Sequence, residues 1–175
     1  MLQLIDTHAH LQWPKFDDDR DDVVARAQDA GVAAIVTLAT DLETSHKAIA
    51  LAEKYPLVYA GVGIHPTDVA QAKFAHLQEI AELASHPKVV AIGETGMDFY
   101  WDKTTGEIQE KFFLAQLEMS IELDLPVVVH NREAVSAILT VLEKIPDLPL
   151  KGVFHCFGEN IDYAQKVLDR GFHIS

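Results

Sequence analysis

Residues that commonly bind divalent metal ions follow four short apolar segments of this 175-residue chain. Each segment suits a strand buried on both faces, and parallel strands bring their C-terminal ends to one edge of a sheet or barrel. Imidazole nitrogens and carboxylate oxygens gathered at such an edge predict a metal centre. The predicted ligands are His8 and His10 in the first segment, Glu94 in the second, His130 in the third and His155 in the fourth.

Each of these residues also has a purely structural interpretation when it is taken alone. A His-x-His string arises by chance, a single strand-end histidine is often a hydrogen-bonded core residue, and Glu94 alone would be a turn carboxylate. The joint pattern favours the metal, because the structural interpretations would have to coincide at four strand ends. Asp6 alternates with His8 and His10 along one strand face. We expect it to orient an imidazole rather than to bind the ion.

The elements that must position these residues alternate regularly between strand and helix. Glycine and proline punctuate the joins, as helix and strand boundaries require. Strand-like runs begin near Leu2, Ala33, Leu57, Lys88, Pro126, Lys151 and Phe172. Amphipathic stretches between them cover Val23–Ala30, Leu42–Lys54, Ala75–Ser85, Glu107–Leu123, Ala134–Lys144 and Asn160–Asp169. The alternation predicts an α/β protein of successive βα units with a parallel sheet, in a single domain over residues 1–175.

The spacing of the predicted strands favours a TIM (β/α)8 barrel truncated to about seven βα units. The strand starts are about 28 residues apart, whereas a closed eight-stranded barrel needs about 250 residues. The sequence stops at Ser175, inside the seventh apolar run. We therefore expect a curved, unclosed arc of seven parallel strands in a domain that is incomplete at its C-terminus. A natural open sheet is the alternative, although it would leave an unpaired apolar edge.

Composition and charge set bounds on location and partners. The single cysteine, Cys156, cannot form an internal disulfide, and the N-terminus lacks the basic and apolar regions of a signal peptide. The apolar runs are far shorter than the roughly 20 residues of a membrane span, so we expect a cytoplasmic protein with no membrane partner. The net charge of −13 argues against a broad nucleic-acid-binding surface. It does not exclude a nucleic-acid substrate, because a pair of bound cations would make the charge at the site positive.

Five segments, in the same order along the chain, resemble the signature segments of the TatD family of metal-dependent hydrolases. They are Asp6–Leu11, Gly61–Pro66, Gly93–Tyr100, His130–Ala134 and Val153–Phe157. The resemblance covers the whole chain and implies a TIM barrel of the amidohydrolase-like branch. It also implies nuclease chemistry, since characterised members of the family include DNA exonucleases that need divalent metal.

The resemblance assigns a role to each predicted ligand. It implies that His8 and His10 hold one ion and that Glu94 bridges to a second, where it serves catalysis. It further implies that His130 and His155 complete the second ion site. Imidazole and carboxylate ligands suit zinc, manganese or magnesium, and the sequence does not choose among them.

Two departures from the family pattern affect the expected activity. His65 is an expected substrate-binding residue, but Thr67 stands where the family often has a second histidine after the His-Pro pair. The family's last metal-site residue is an aspartate on the eighth strand, which also accepts a proton from the attacking water. That strand has no counterpart before Ser175, so we expect the chain as given to bind metal incompletely and to turn over poorly.

Further substrate contacts are expected beside the strand ends. Arg132 and Lys103 could bind phosphate, Arg132 through its bidentate fork, although both also fit solvated surface charges. Phe99, Tyr100 and Trp101 form an aromatic run that suits stacking on the bases of a single strand. Their alternative role is to pack over the mouth of the barrel.

Three hypotheses for function follow. The leading one is a 3′–5′ exodeoxyribonuclease or related phosphodiesterase that acts on DNA or RNA with two divalent ions. The second keeps the metal site but hydrolyses another bond, such as the ester of D-aminoacyl-tRNA or a small amide. The third is a non-catalytic fragment or pseudoenzyme that retains a partial barrel. The sequence favours a nucleic-acid substrate and leaves protein partners open.

Overall fold

A computed structural model describes residues 4–101, 105–145 and 151–175 as one parallel sheet with helices between its strands. The strands are β1 Leu4–Ala9, β2 Val32–Leu38, β3 Val58–Val62, β4 Val89–Asp98, β5 Val127–Arg132, β6 Gly152–Phe154 and β7 His173–Ile174. The α-helices are α1 Arg20–Asp29, α2 Leu42–Lys54, α3 His76–Ala84, α4 Gly106–Glu122, α5 Val135–Glu143 and α6 Ile161–Asp169, and a 3-10 turn spans Pro14–Phe16.

The strands pair in sequential order from β1 to β7, and every pairing is parallel. A doubly wound sheet reverses its strand order at a switch point, and this order never reverses. The predicted arc of seven parallel strands is therefore confirmed. Six of the seven predicted strand starts lie within one residue of the observed ones; the first, near Leu2, lies outside the described residues, and β1 begins at Leu4 within them.

Local sequence explains why the helices begin where they do. At the start of α2, the side chain of Asp41 accepts a hydrogen bond from the Thr44 backbone at 2.7 Å, and the Thr44 hydroxyl accepts one from the Asp41 backbone at 2.9 Å. This reciprocal capping box satisfies two amide groups that the first helical turn leaves free. At the start of α6, the Asn160 side chain accepts a hydrogen bond from the Tyr163 backbone N–H. None of the helices in the described part of the chain is both long and apolar enough to cross a lipid bilayer.

The apolar core lies between the sheet and its helices and falls into two main clusters. The first is built around residues of β2, β3 and α2, such as Ile35, Val58 and Ile49, and the second around residues of α4, β5 and α5, such as Phe113, Val129 and Ile138. The edge strand β1 is much less covered, since Leu4 is 52% and Ile5 63% exposed. The helices thus pack against the sheet and form the apolar core with it. The polar residues discussed below lie at the C-terminal rim of the sheet.

Candidate metal centre

The predicted ligands converge at the C-terminal rim of the sheet, around the carboxylate of Glu94. Glu94 lies within β4 and its side chain is only 3% exposed. Its Oε2 atom lies 3.4 Å from Nε2 of His8, in β1, and 3.3 Å from Nε2 of His10, just after β1. The two imidazole nitrogens are themselves 3.2 Å apart. One carboxylate oxygen therefore faces the histidine pair of the first strand.

The other oxygen of Glu94, Oε1, faces a second group of histidines. It lies 2.8 Å from Nδ1 of His130 in β5 and 2.6 Å from Nε2 of His155, which directly follows β6. His65, which follows β3, places its Nε2 atom 3.5 Å from the same oxygen. By distance to each oxygen, the four predicted histidines fall into the two pairs that the resemblance implies; their division between two ions stays a prediction. The same geometry also places His65 among the candidate ligands, whereas the resemblance implied a substrate contact.

Potential ligand atoms of the cluster also lie close to one another. Two groups of three residues each have ligand atoms within 4.8 Å of one another, and Glu94 belongs to both. The groups are His8 with Glu94 and His155, and His65 with Glu94 and His130. Glu94 is common to both groups, but His155 is grouped here with His8 and His65 with His130, so this grouping differs from the one by carboxylate oxygen.

Several nitrogens of the cluster lack the partners that a metal-free site would need. Nδ1 of His8 and both ring nitrogens of His155 are buried without a hydrogen bond among the described residues. His155 Nε2 is close to Glu94 but misaligned for a hydrogen bond. Buried polar atoms are normally satisfied, so this arrangement fits a group of ligands that converge on a cation.

The hydrogen bond of His10 also fits a cation in the cluster. Its Nδ1 lies 2.8 Å from the carbonyl oxygen of Leu38, which can only accept, so Nδ1 donates. A neutral His10 then has an unprotonated Nε2, which faces the Glu94 carboxylate. Two lone-pair groups repel each other, so the contact requires a positive charge between them, from either a proton on Nε2 or a bound cation. The donor set of imidazoles and a carboxylate fits zinc, manganese or magnesium.

The electrostatics of the cluster keep the carboxylate ionised. Burial alone would raise the pKa of Glu94, but the contacts with His10 and His130 outweigh burial and hold the pKa of Glu94 far below its usual range. Burial lowers the pKa of His155, despite the nearby carboxylate, and so favours its neutral, metal-binding form. Burial also opposes the charged form of His130, but Glu94 and Asp98 raise its pKa above the usual value. Metal uptake at His130 would therefore release a proton.

Two glycines allow β4 to pass close to β5 on either side of Glu94. Gly93 and Gly96 have φ angles of +144° and +138°, which L-residues rarely adopt. A Cβ atom at Gly96 would meet the backbone oxygen of His130 at 2.1 Å. The close approach of these backbones brings Glu94 and His130 together.

Gly96→Ala is expected to destabilise the fold by more than the roughly 1 kcal/mol that positive φ alone costs, because the methyl group must push β4 away from β5. Gly31→Ala is the matched control, since Gly31 has φ of +89° but open space around its Cβ position. Chemical denaturation of both variants measures the difference in unfolding free energy. An equal loss in the two variants would contradict the proposed close packing.

The structure corrects two details of the sequence interpretation. Glu94 and His130 do not end their strands, because β4 continues to Asp98 and β5 to Arg132. The change from apolar to polar residues shows where the side chains reach the rim of the sheet. The backbone pairing of the strands continues beyond that point. The prediction that Asp6 orients an imidazole is wrong: its carboxylate accepts a hydrogen bond from the backbone N–H of His8 at 3.0 Å.

Aromatic and basic residues lie beside the cluster. Tyr100 and Trp101 are 51% and 66% exposed, and the guanidinium carbon of Arg132 lies 3.9 Å from the centre of the Tyr100 ring and 5.4 Å from that of Trp101. Phe99 instead packs against the second core cluster, so the aromatic run divides between core and surface. Lys103 lies outside the described residues.

Two contacts of the cluster escaped the sequence interpretation. The ring of Trp13 stacks on that of His10, with centroids 4.4 Å apart and planes 4° apart. Asp98 lies 3.0 Å from Nε2 of His130. A signal for Asp98 existed, since it stands four residues after Glu94 and shares its strand face. Thr67, the departure noted above, has its hydroxyl 2.7 Å from Nδ1 of His65.

Comparisons with known proteins bear on the family and the fold of this chain. The family model described as TatD related DNase matches residues 5–175. The chain is 37% identical over 172 residues to the uncharacterized metal-dependent hydrolase YabD of Bacillus subtilis, and 41% identical over 171 residues to the 3′-5′ ssDNA/RNA exonuclease TatD of Shigella flexneri. These matches cover 98% of the chain and 68% and 66% of the two relatives. The chain thus spans about two thirds of the length of these relatives.

A solved structure shows the same fold. The crystal structure of YjjV, a TatD homologue from Escherichia coli, matches with a TM-score of 0.90 and 32% identity, over 98% of this chain and 66% of that one. The sequential parallel arc is therefore that of the TIM-barrel fold that TatD homologues share, as the sequence predicted. With the fold, the five collinear segments and the family match in agreement, the chain belongs to the TatD-related DNase family.

Proposed function

We propose that this protein is a metal-dependent 3′–5′ exonuclease or related phosphodiesterase that acts on single-stranded DNA or RNA. The observation that carries the proposal is the position of Glu94, whose two carboxylate oxygens each face a separate group of histidines. The name of the Shigella flexneri relative supports the substrate class. We further propose that residues 1–175 belong to a single domain built around this centre.

The proposed centre holds two divalent ions. His8 and His10 would hold the ion beside Oε2 of Glu94, and His130 and His155 the ion beside Oε1. Such ions supply Lewis acidity toward a phosphodiester and make water a competent nucleophile near neutral pH. His65 would then contact either the second ion or the substrate beside it, since its Nε2 lies 3.5 Å from Oε1 of Glu94.

The substrate strand is proposed to lie over the surface formed by Tyr100, Trp101 and Arg132. Exposed aromatic rings stack on bases without sequence preference, and a guanidinium binds phosphate through two parallel hydrogen bonds. The bases of a duplex are already stacked on one another, so a site of this kind favours single strands. Because the net charge is −13, the protein as a whole repels a nucleic acid. Affinity for the strand must therefore come from these local contacts and from the bound cations.

A cleavage assay on the full gene product that contains these residues tests the proposal. Single-stranded DNA and RNA labelled at the 5′ end should be shortened progressively from the 3′ end when Mg²⁺, Mn²⁺ or Zn²⁺ is added, and chelation should stop the reaction. Duplex DNA should be cut more slowly. Hydrolysis of D-aminoacyl-tRNA or of small amides in place of nucleic acid would overturn the substrate assignment. Retained metal binding without any hydrolysis would show a non-catalytic protein.

Arg132→Ala is expected to raise KM for single-stranded DNA by roughly 10-fold while changing kcat little, because the side chain contacts phosphate rather than the attacking water. Arg26→Ala removes an equal charge from helix α1, where Arg26 pairs with Asp19 at 3.5 Å, and serves as the control. Steady-state kinetics on an oligonucleotide series measures both parameters. A loss confined to kcat would contradict a binding role for Arg132.

A further inference from the structure

Asp98 is a buried carboxylate at the end of β4 that contacts the proposed centre without facing Glu94. Its side chain is 1% exposed. Asp98 follows Glu94 by four residues in β4, so the two side chains lie on the same face of the strand. Its Oδ2 atom lies 3.0 Å from Nε2 of His130. The opposite ring nitrogen, Nδ1, faces Oε1 of Glu94 at 2.8 Å. His130 is therefore held between two carboxylates, one at each ring nitrogen.

The second oxygen of Asp98 holds the turn that follows β4. Oδ1 accepts hydrogen bonds from the backbone N–H groups of Tyr100 and Trp101, both at 3.0 Å. The Asp98 backbone is fixed in turn by Gln109 of helix α4, which accepts from its N–H at 2.8 Å and donates to its carbonyl at 3.0 Å. Both side-chain oxygens of Asp98 are thus engaged, and its position is fixed from the helix behind it.

A carboxylate that only accepts hydrogen bonds determines where a neutral imidazole carries its proton. Opposite Asp98, the Nε2 atom of His130 is the donor. Nδ1 faces Glu94, which also only accepts, so a divalent ion at Nδ1 would take the place of a proton there while Asp98 keeps the proton on Nε2. Carboxylate partners of this kind orient metal-binding histidines and raise their basicity in other metal sites.

We propose that Asp98 is a positioning residue that keeps the proton of His130 on Nε2, so that Nδ1 is available to a divalent ion, and that it ties the turn bearing Tyr100 and Trp101 to the same histidine. The inference rests on the proposed metal centre. It assigns Asp98 no contact with the ion or with the reacting phosphate. Its two oxygens have separable tasks, because Oδ2 acts on the histidine and Oδ1 on the turn.

Asp98→Asn separates the two tasks. The amide oxygen still accepts from the turn, but the amide nitrogen donates toward Nε2 of His130 and drives the proton to Nδ1, where it competes with the metal. Zinc affinity of the full gene product, measured by calorimetric titration, should fall roughly 10- to 100-fold. Asp6→Asn is the matched control: it removes the same charge beside a proposed ligand residue, from a carboxylate whose hydrogen bond within the described part of the chain comes from the backbone N–H of His8. Its zinc affinity should stay at the wild-type value.

Nitrogen NMR of the zinc-loaded wild-type protein provides a readout that does not depend on the variant's folding. His130 should show a proton on Nε2 and metal coordination at Nδ1. Coordination through Nε2 would overturn the inference, and so would unchanged zinc affinity in Asp98→Asn or an equal loss in Asp6→Asn. Each of these results leaves the metal centre intact. A wild-type protein that takes up no zinc, manganese or magnesium would instead overturn the centre and the role of Asp98 together.

Discussion

Glu94→Gln should lower divalent-metal affinity by on the order of 100-fold or more and reduce nuclease activity to background. Glutamine keeps the shape of the side chain but removes the negative charge that offsets two cations. Its amide nitrogen also presents donors where one carboxylate oxygen presented lone pairs. Metal content by mass spectrometry and cleavage of single-stranded DNA are to be measured on the same purified samples.

Glu159→Gln is the control for this substitution, because Glu159 also lies near the rim and accepts a hydrogen bond from the Asn131 side chain at 2.9 Å. We expect it to keep wild-type metal content and activity, since its carboxylate has no histidine contact among the described residues. Full cleavage by Glu94→Gln at unchanged metal occupancy would reduce Glu94 to a structural residue and would remove the basis of the proposed function.

Removing the histidines on one side of Glu94 is expected to remove one ion and leave the other. The double variant His8→Ala with His10→Ala should retain the ion beside Oε1, and His130→Ala with His155→Ala should retain the ion beside Oε2. Each double variant should bind about one ion per chain where the wild type binds about two, and each should lose cleavage, because two-metal hydrolysis needs both ions.

Equilibrium dialysis followed by metal analysis measures the stoichiometry of these variants. His86→Ala is the control, since its imidazole lies 3.3 Å from Glu53, away from the cluster. Loss of all metal in either double variant would show one shared ion in place of two separate sites. Unchanged stoichiometry in both would place the bound metal elsewhere on the protein.

Local sequence signals account for much of the fold. The bounds of α2, Leu42–Lys54, were predicted and observed alike, because Asp41 and Thr44 encode the helix start in neighbouring residues. The seven strands were predictable because buried parallel strands produce short apolar runs between helices. The convergence of Glu94 with four histidines followed from a rule of topology: the C-terminal ends of parallel strands meet at one rim.

The details that escaped prediction depend on register between strands. Gly96 lies opposite His130 and Asp98 opposite Arg132, and no local pattern in either segment determines that alignment. Whether His130 meets Glu94, Asp98 or both therefore could not be inferred from spacing. Asp6 shows the same limit, because a shared strand face with His8 did not determine that its carboxylate would accept from backbone.

Anomalous X-ray diffraction from crystals soaked in zinc tests the central claim most directly. The proposed centre predicts two anomalous peaks, one on each side of the Glu94 carboxylate, with imidazole nitrogens about 2.0–2.1 Å from each ion. The first peak should contact His8 and His10, and the second His130 and His155. Zinc bound only at other surfaces, with the Glu94 cluster free of anomalous density, would contradict the account.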